Sequence, residues 1–142
     1  MEAKAMRNTI GKKNILFGLV YFLTTLGLGM YLANKGQAQD PDWAQSTAKH
    51  LLATAHSHGN LEALLNIVLG YLICRVGDPT AMLTKAASIL LIVGAAFHSG
   101  TIYLAGAGLG AAMNFTPIGA LSMVAGVAVM IPIVAQGLGN ES

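Results

Sequence analysis

Apolar residues run almost unbroken through four stretches of the chain: Asn14–Ala33, about Leu51–Cys74, Ala81–Leu109 and Phe115–Leu138. Each reaches the roughly 20 apolar residues that a helix needs to cross hydrocarbon. Polar residues gather between them, in "NKGQAQDPDWAQSTAK", "VGDPT" and the uncharged "GAGLGAAMN". In the second of these, Gly77 permits unusual φ, Pro79 fixes φ and Asp78 can cap the next helix, so a turn is predicted. "DPDWAQSTAKH" suits a short interfacial helix started by Asp40-Pro41. The pattern predicts an all-α integral membrane four-helix bundle, a single transmembrane domain over residues 1–142. The first stretch follows Lys12-Lys13 as a signal peptide would. Its apolar run is longer than the ~7–15 residues of a signal core, and "KGQAQD" is a poor cleavage site. It is read as a retained helix.

Composition agrees. Hydrophobic residues make up 54% of the chain and charged residues 10%, against about 25% charged in a soluble domain. The net charge of +2 is too small and too local to suggest nucleic acid. The lone Cys74 excludes an internal disulfide and a cysteine-based zinc site. Lys4, Arg7, Lys12 and Lys13 precede the first helix, and Arg75 and Lys85 flank the second connection. Only Lys35 and Lys49 fall on the other side. The positive-inside rule then puts both termini in the cytoplasm, in a bacterial-type inner (cytoplasmic) membrane, with Tyr31 and Trp43 at the outer interface. Small residues recur at four-residue spacing in Ala95/Ser99, Ala96/Gly100 and Ser122/Gly126. That spacing lets membrane helices pack closely. Four short helices also enclose little interior, so a homo-oligomer with sites near its interfaces is expected.

Against this background "HLLATAHSHGNLEALLNIVLGYLI" stands out, because a helix bound for hydrocarbon carries three histidines, a glutamate and two asparagines. His56 and His58 lie six to eight residues below the outer surface, and His98, on the antiparallel third helix, lies at a similar depth. Glu62 is one turn deeper than His58 on the same face. His56 and His58 are about 200° apart on a regular helix, so both cannot ligate one small ion without distortion. Ionisable groups at this depth cost roughly 2.5–3.5 kcal/mol each when charged, and persist when paired, hydrated or bound. His58 and Glu62 pairing along the helix is the bland account. Three chemical accounts compete with it. A haem could take an imidazole axial ligand, with Gly59 leaving room for the flat ring. A non-haem metal could sit among His58, Glu62 and His98. A proton or ion path could run through Glu62 alone.

A resemblance bears on these alternatives. "TAHSHGNLEALL" and "GTIYLAG" resemble segments of styrene oxide isomerase, a small four-helix membrane family that carries haem b and assembles as a trimer. Length, helix count and the histidine-to-tyrosine separation are also similar. The resemblance implies haem b ligated by His58, with His56 as second choice, and Tyr103 at the family's active-site tyrosine. It implies that ferric iron acts as a Lewis acid on an apolar epoxide arriving from the lipid, which isomerises to an aldehyde. Asn60 or Glu62 would be the polar helper at the pocket wall. The chain departs from the family's pattern where an acidic residue falls on Ala95, and where its asparagine falls on Glu62. His98 is an addition that could supply a sixth ligand, which suits a bis-histidine b-type cytochrome.

The remaining candidates read as structural. Asn66 suits interhelical hydrogen bonding and Asn114 a helix cap, while Ser88 and Thr84 suit bonds to their own helix backbones. "GAGLGAA" comes after no strand, so it is not a dinucleotide-binding loop.

Overall fold

The computed structural model describes residues 9–139. Helix α1 runs over Ile10–Gln37, α2 over Pro41–Gln45, α3 over Thr47–Val76, α4 over Met82–Phe97, α5 over Ser99–Gly106 and α6 over Thr116–Gly139. A short 3-10 helix, Gly110–Phe115, leads into α6, and no strand occurs among the described residues. Four helical spans are long and apolar enough to cross a membrane: Ile10–Gln37, Thr47–Val76, Met82–Gly106 and Gly110–Gly139. The all-α, four-span architecture is therefore as the hydrophobic pattern predicts, with one difference. The third apolar run is not one helix over Ala81–Leu109. It breaks at His98, between α4 and α5.

The interfacial helix forms as expected. The Asp40 carboxylate accepts from the backbone N–H of Asp42 at 3.0 Å and of Trp43 at 3.3 Å, with Pro41 in the first turn. This occupies helix N–H groups that have no intrahelical partner. Ser46 does the same for α3, accepting from Lys49 N–H at 3.1 Å. Tyr31 and Trp43 meet edge to face at 6.0 Å, closing this end of the bundle.

Helix α1 packs along α3, α4 packs along α6, and α5 returns to α3. The up-and-down order gathers Lys12, Lys13, Arg75 and Lys85 at one end, and Lys35, Trp43 and Lys49 at the other. Apolar packing occurs in two clusters. Ile73, Ala87, Leu91, Met130 and Ile133 fill the lysine-rich half, and Leu28, Leu52, Ala55 and Ile102 fill the Trp43 half. Large side chains such as Leu16, Leu23, Leu121, Val124 and Ile131 face outward. In hydrocarbon this exposure is not costly, because lipid tails are as apolar as leucine.

The layer between the clusters is polar. Asn14 and Asn66 are fully buried there and Ser88 nearly so. Asn14 Nδ2 donates to Asn66 Oδ1 at 3.0 Å and to the Ser88 carbonyl at 2.9 Å, while the Ser88 hydroxyl donates to Asn14 Oδ1. Asn66 Nδ2 donates to the carbonyls of Glu62 and Leu91 at 3.0 and 3.1 Å. Asn66 is thus the interhelical tie expected of it. Ser88 differs from expectation: its hydroxyl ties α4 to α1 instead of serving its own helix.

Candidate functional site: a histidine pair beside a buried glutamate

The site begins with the helix break. His98 adopts φ −92° and ψ −85°, outside the helical region, so regular α4 ends at Phe97. No proline causes this. Helix α6 presses its Gly119 so close that a Cβ there would overlap the His98 nitrogen. Thr101 completes the break, its hydroxyl donating to the carbonyls of Phe97 at 2.7 Å and His98 at 3.0 Å. Side-chain and neighbouring-helix support of this kind makes an interrupted helix tolerable in a membrane. The break turns the His98 ring towards α3.

There it meets Glu62, which is 3% exposed. His98 Nδ1 pairs with Glu62 Oε1, and the Ser99 hydroxyl donates to Glu62 Oε2. Ser99 Oγ is in turn 2.7 Å from the Tyr21 hydroxyl, which also reaches the Ala95 carbonyl at 3.3 Å. Ser99 has a single hydroxyl proton. With that proton given to the carboxylate, its lone pair accepts from Tyr21. Both carboxylate oxygens are thus held, and a chain Tyr21–Ser99–Glu62–His98 joins α1, α5 and α3. With Nδ1 of His98 taken up by the Glu62 carboxyl, Nε2 is the ring nitrogen left over.

His58 completes the group. Its exposed ring meets that of His98 edge to face, with centroids 5.0 Å apart and planes at 77°. Neither ring nitrogen of His58 has a hydrogen-bond partner among the described residues. One ligand atom from each of His58, Glu62 and His98 lies within 4.8 Å of the others. The expected depth match between His58, Glu62 and His98 is therefore real. The bland pairing is not the one formed, because Glu62 bonds to His98 and not to His58. The two imidazoles also touch, so a macrocycle between them would require the rings to separate.

The other predicted site residues fall elsewhere. His56 points to α1, where Nδ1 donates to the Thr25 carbonyl at 2.8 Å and the ring lies over Gly29. A Cβ on Gly29 would sit 2.5 Å from His56 Cε1. Asn60 joins this second group: its Oδ1 accepts from the Thr25 hydroxyl at 2.6 Å, and its amide nitrogen is 3.4 Å from His56 Nε2. The separation of His56 from His58 by helical angle is borne out. Gly59 does not provide open space, since a Cβ there would be 2.6 Å from Thr25 Cγ2. It admits α1 and not a flat ring. Tyr103 is half-exposed and lines a cavity of about 290 Å³ between α1 and α5, with Tyr21, Thr24, Thr25, Ala55, Ser99 and Gly100. None of the histidines lines it.

Sequence reasoning missed Ser99, Tyr21 and Thr25. A signal for Ser99 existed, since it directly succeeds His98 and sits at the same depth. Tyr21 carried none, being one of four hydroxyl side chains in the first apolar run, with Thr24, Thr25 and Tyr31. No family model, curated protein or solved structure matches the chain.

Proposed function

We propose that this multi-pass membrane protein is a metalloprotein that holds a divalent transition-metal ion through the imidazoles of His58 and His98. The observation that carries this reading is the carboxylate on His98: Glu62 occupies Nδ1, itself fixed by Ser99, and Nε2 remains open beside an unpartnered His58 ring. Metal-binding histidines characteristically give their second nitrogen to a carboxylate, which fixes the tautomer and raises ligand basicity. Imidazole with carboxylate support suits borderline ions such as zinc or iron. Two protein nitrogens leave further coordination positions for water or a substrate oxygen, and the ion, when bound, supplies Lewis acidity there. Glu62 orients His98, Ser99 and Tyr21 hold Glu62, and the apolar surround keeps the carboxylate from being hydrated away.

A second reading retains the haem b epoxide isomerase that the sequence resemblance implies. It is favoured by one feature, the exposed His58 ring with both nitrogens unpartnered, which could offer a single axial ligand to a haem at the surface of the bundle or between protomers of a homotrimer. Tyr103, at its separate cavity, would then have to act from another protomer. In either reading the lysine-rich end faces the cytoplasm.

Metal analysis and a visible spectrum of the purified protein test both. One equivalent of zinc or iron without a Soret band, lost in His58→Ala and His98→Ala, supports the metalloprotein. A Soret band that disappears in His58→Ala alone selects the haem reading. Neither metal nor haem above the level of the double variant overturns both.

A further inference from the structure

A cleft of about 410 Å³ opens between α1 and α4 at the lysine-rich end, walled by Ile10, Lys13, Lys85, Ser88, Ile89 and Ile92. Lys13 and Lys85 come from different helices, and both are exposed. Among the described residues neither ammonium group has a hydrogen-bond or ion-pair partner, and no carboxylate lines the cleft. The cavity at the opposite end provides the contrast. There Lys35 lies over the Trp43 ring at 5.6 Å, Lys49 donates to the Ala44 carbonyl at 3.3 Å, and Asp40 contributes a negative charge. Among the described residues its cations are engaged, and those of the α1/α4 cleft are not.

The two lysines also lie near the start of their helices, where neither α1 nor α4 carries an acidic residue in its first turn. Cations there oppose the helix dipole, and an anion between them would relieve both. Deeper in the cleft the chemistry changes. Ile89 and Ile92 lie about 6–10 Å beyond Lys85 along α4. Of the two hydroxyl residues that line the cleft, Thr9 and Ser88, the buried Ser88 already gives its proton to Asn14. The cleft is thus cationic at its mouth and apolar below, the polarity gradient of a phospholipid.

We infer that this cleft binds an anionic glycerophospholipid of the adjoining leaflet, its phosphate between Lys13 and Lys85 and an acyl chain along Ile89 and Ile92. Basic clefts at the ends of membrane helices recognise such headgroups, each lysine contributing about fivefold in affinity. The inference does not depend on the metal reading.

Native mass spectrometry of the full chain, extracted from bilayers of equal phosphatidylglycerol and phosphatidylcholine, tests it. The expected result is one retained phosphatidylglycerol per chain, weakened about 25-fold in the Lys13→Gln/Lys85→Gln variant. Retention should be preserved in Lys13→Arg/Lys85→Arg and in Lys35→Gln/Lys49→Gln. Equal retention of phosphatidylcholine, or undiminished retention by the glutamine variant, would overturn the proposal. So would inorganic phosphate raising the melting temperature of lipid-free protein as much as phosphatidylglycerol does. Metal content should be the same in all these variants, so the outcome is separate from that of the histidine site.

Discussion

Two buried polar clusters lie one above the other in this bundle and differ in what they leave unused. In the Asn14–Asn66–Ser88 node every side-chain donor has an acceptor within the protein, and every group is neutral. In the Glu62–His98–Ser99–Tyr21 cluster three members are ionisable, and the chain ends at imidazole nitrogens with no hydrogen-bond partner among the described residues. A saturated neutral network suits holding helices together, because unsatisfied polar groups in hydrocarbon are costly. An unsaturated one with ionisable members is retained when it serves something else. Satisfaction of donors and acceptors, more than burial or depth, separates the tie from the site.

Substitutions can break that distinction, and their expected effects fall in order. His98→Ala removes a ligand and strands a buried carboxylate, so metal binding should be lost altogether, with a loss of stability of about 3–5 kcal/mol from the unpaired charge. Adding Glu62→Gln to the His98→Ala variant should restore much of the stability and none of the metal binding, which calorimetry and metal analysis would read separately. Glu62→Gln alone weakens the hold on His98 Nδ1, and metal affinity should fall about 10–100-fold, measured by competition with a chelator. Asn66→Leu opens the saturated node and should cost about 1–2 kcal/mol in unfolding experiments, leaving the metal stoichiometry unchanged. His56→Ala, which removes the bond to the Thr25 carbonyl and the long contact with the Asn60 amide, should have the smallest effect: under about 1 kcal/mol in stability and no change in metal content. A drop in metal content on changing His56 or Asn66 would blur the contrast between the two clusters.

Much of this was legible in the chain. The four spans, the Asp40-Pro41 helix start and the common depth of His58, Glu62 and His98 stem from apolar run length and helical spacing, which are local properties. The break at His98 is not local. It depends on Gly119 of α6 reaching the His98 backbone and on Thr101 taking up the carbonyls, so "AAFHSGTIY" reads as continuous helix. The same holds for hydroxyls. Ser88, Ser99 and Tyr21 sit in apolar helices where bonding to their own backbone is the default, and only the neighbouring helix redirects them. Gly59 shows the limit of steric reasoning from sequence. A missing side chain marks a close approach, but what approaches, here Thr25, is decided by packing.

The central claim, that His58 and His98 together hold a metal ion with Glu62 behind His98, is tested most directly by titrating the purified apoprotein with cobalt(II) and tracking its visible d–d absorption. The account expects saturation at one equivalent per chain, absent in His58→Ala and in His98→Ala and intact in His56→Ala. A spectrum that never departs from that of the aqueous ion, or one that survives both substitutions, would contradict it.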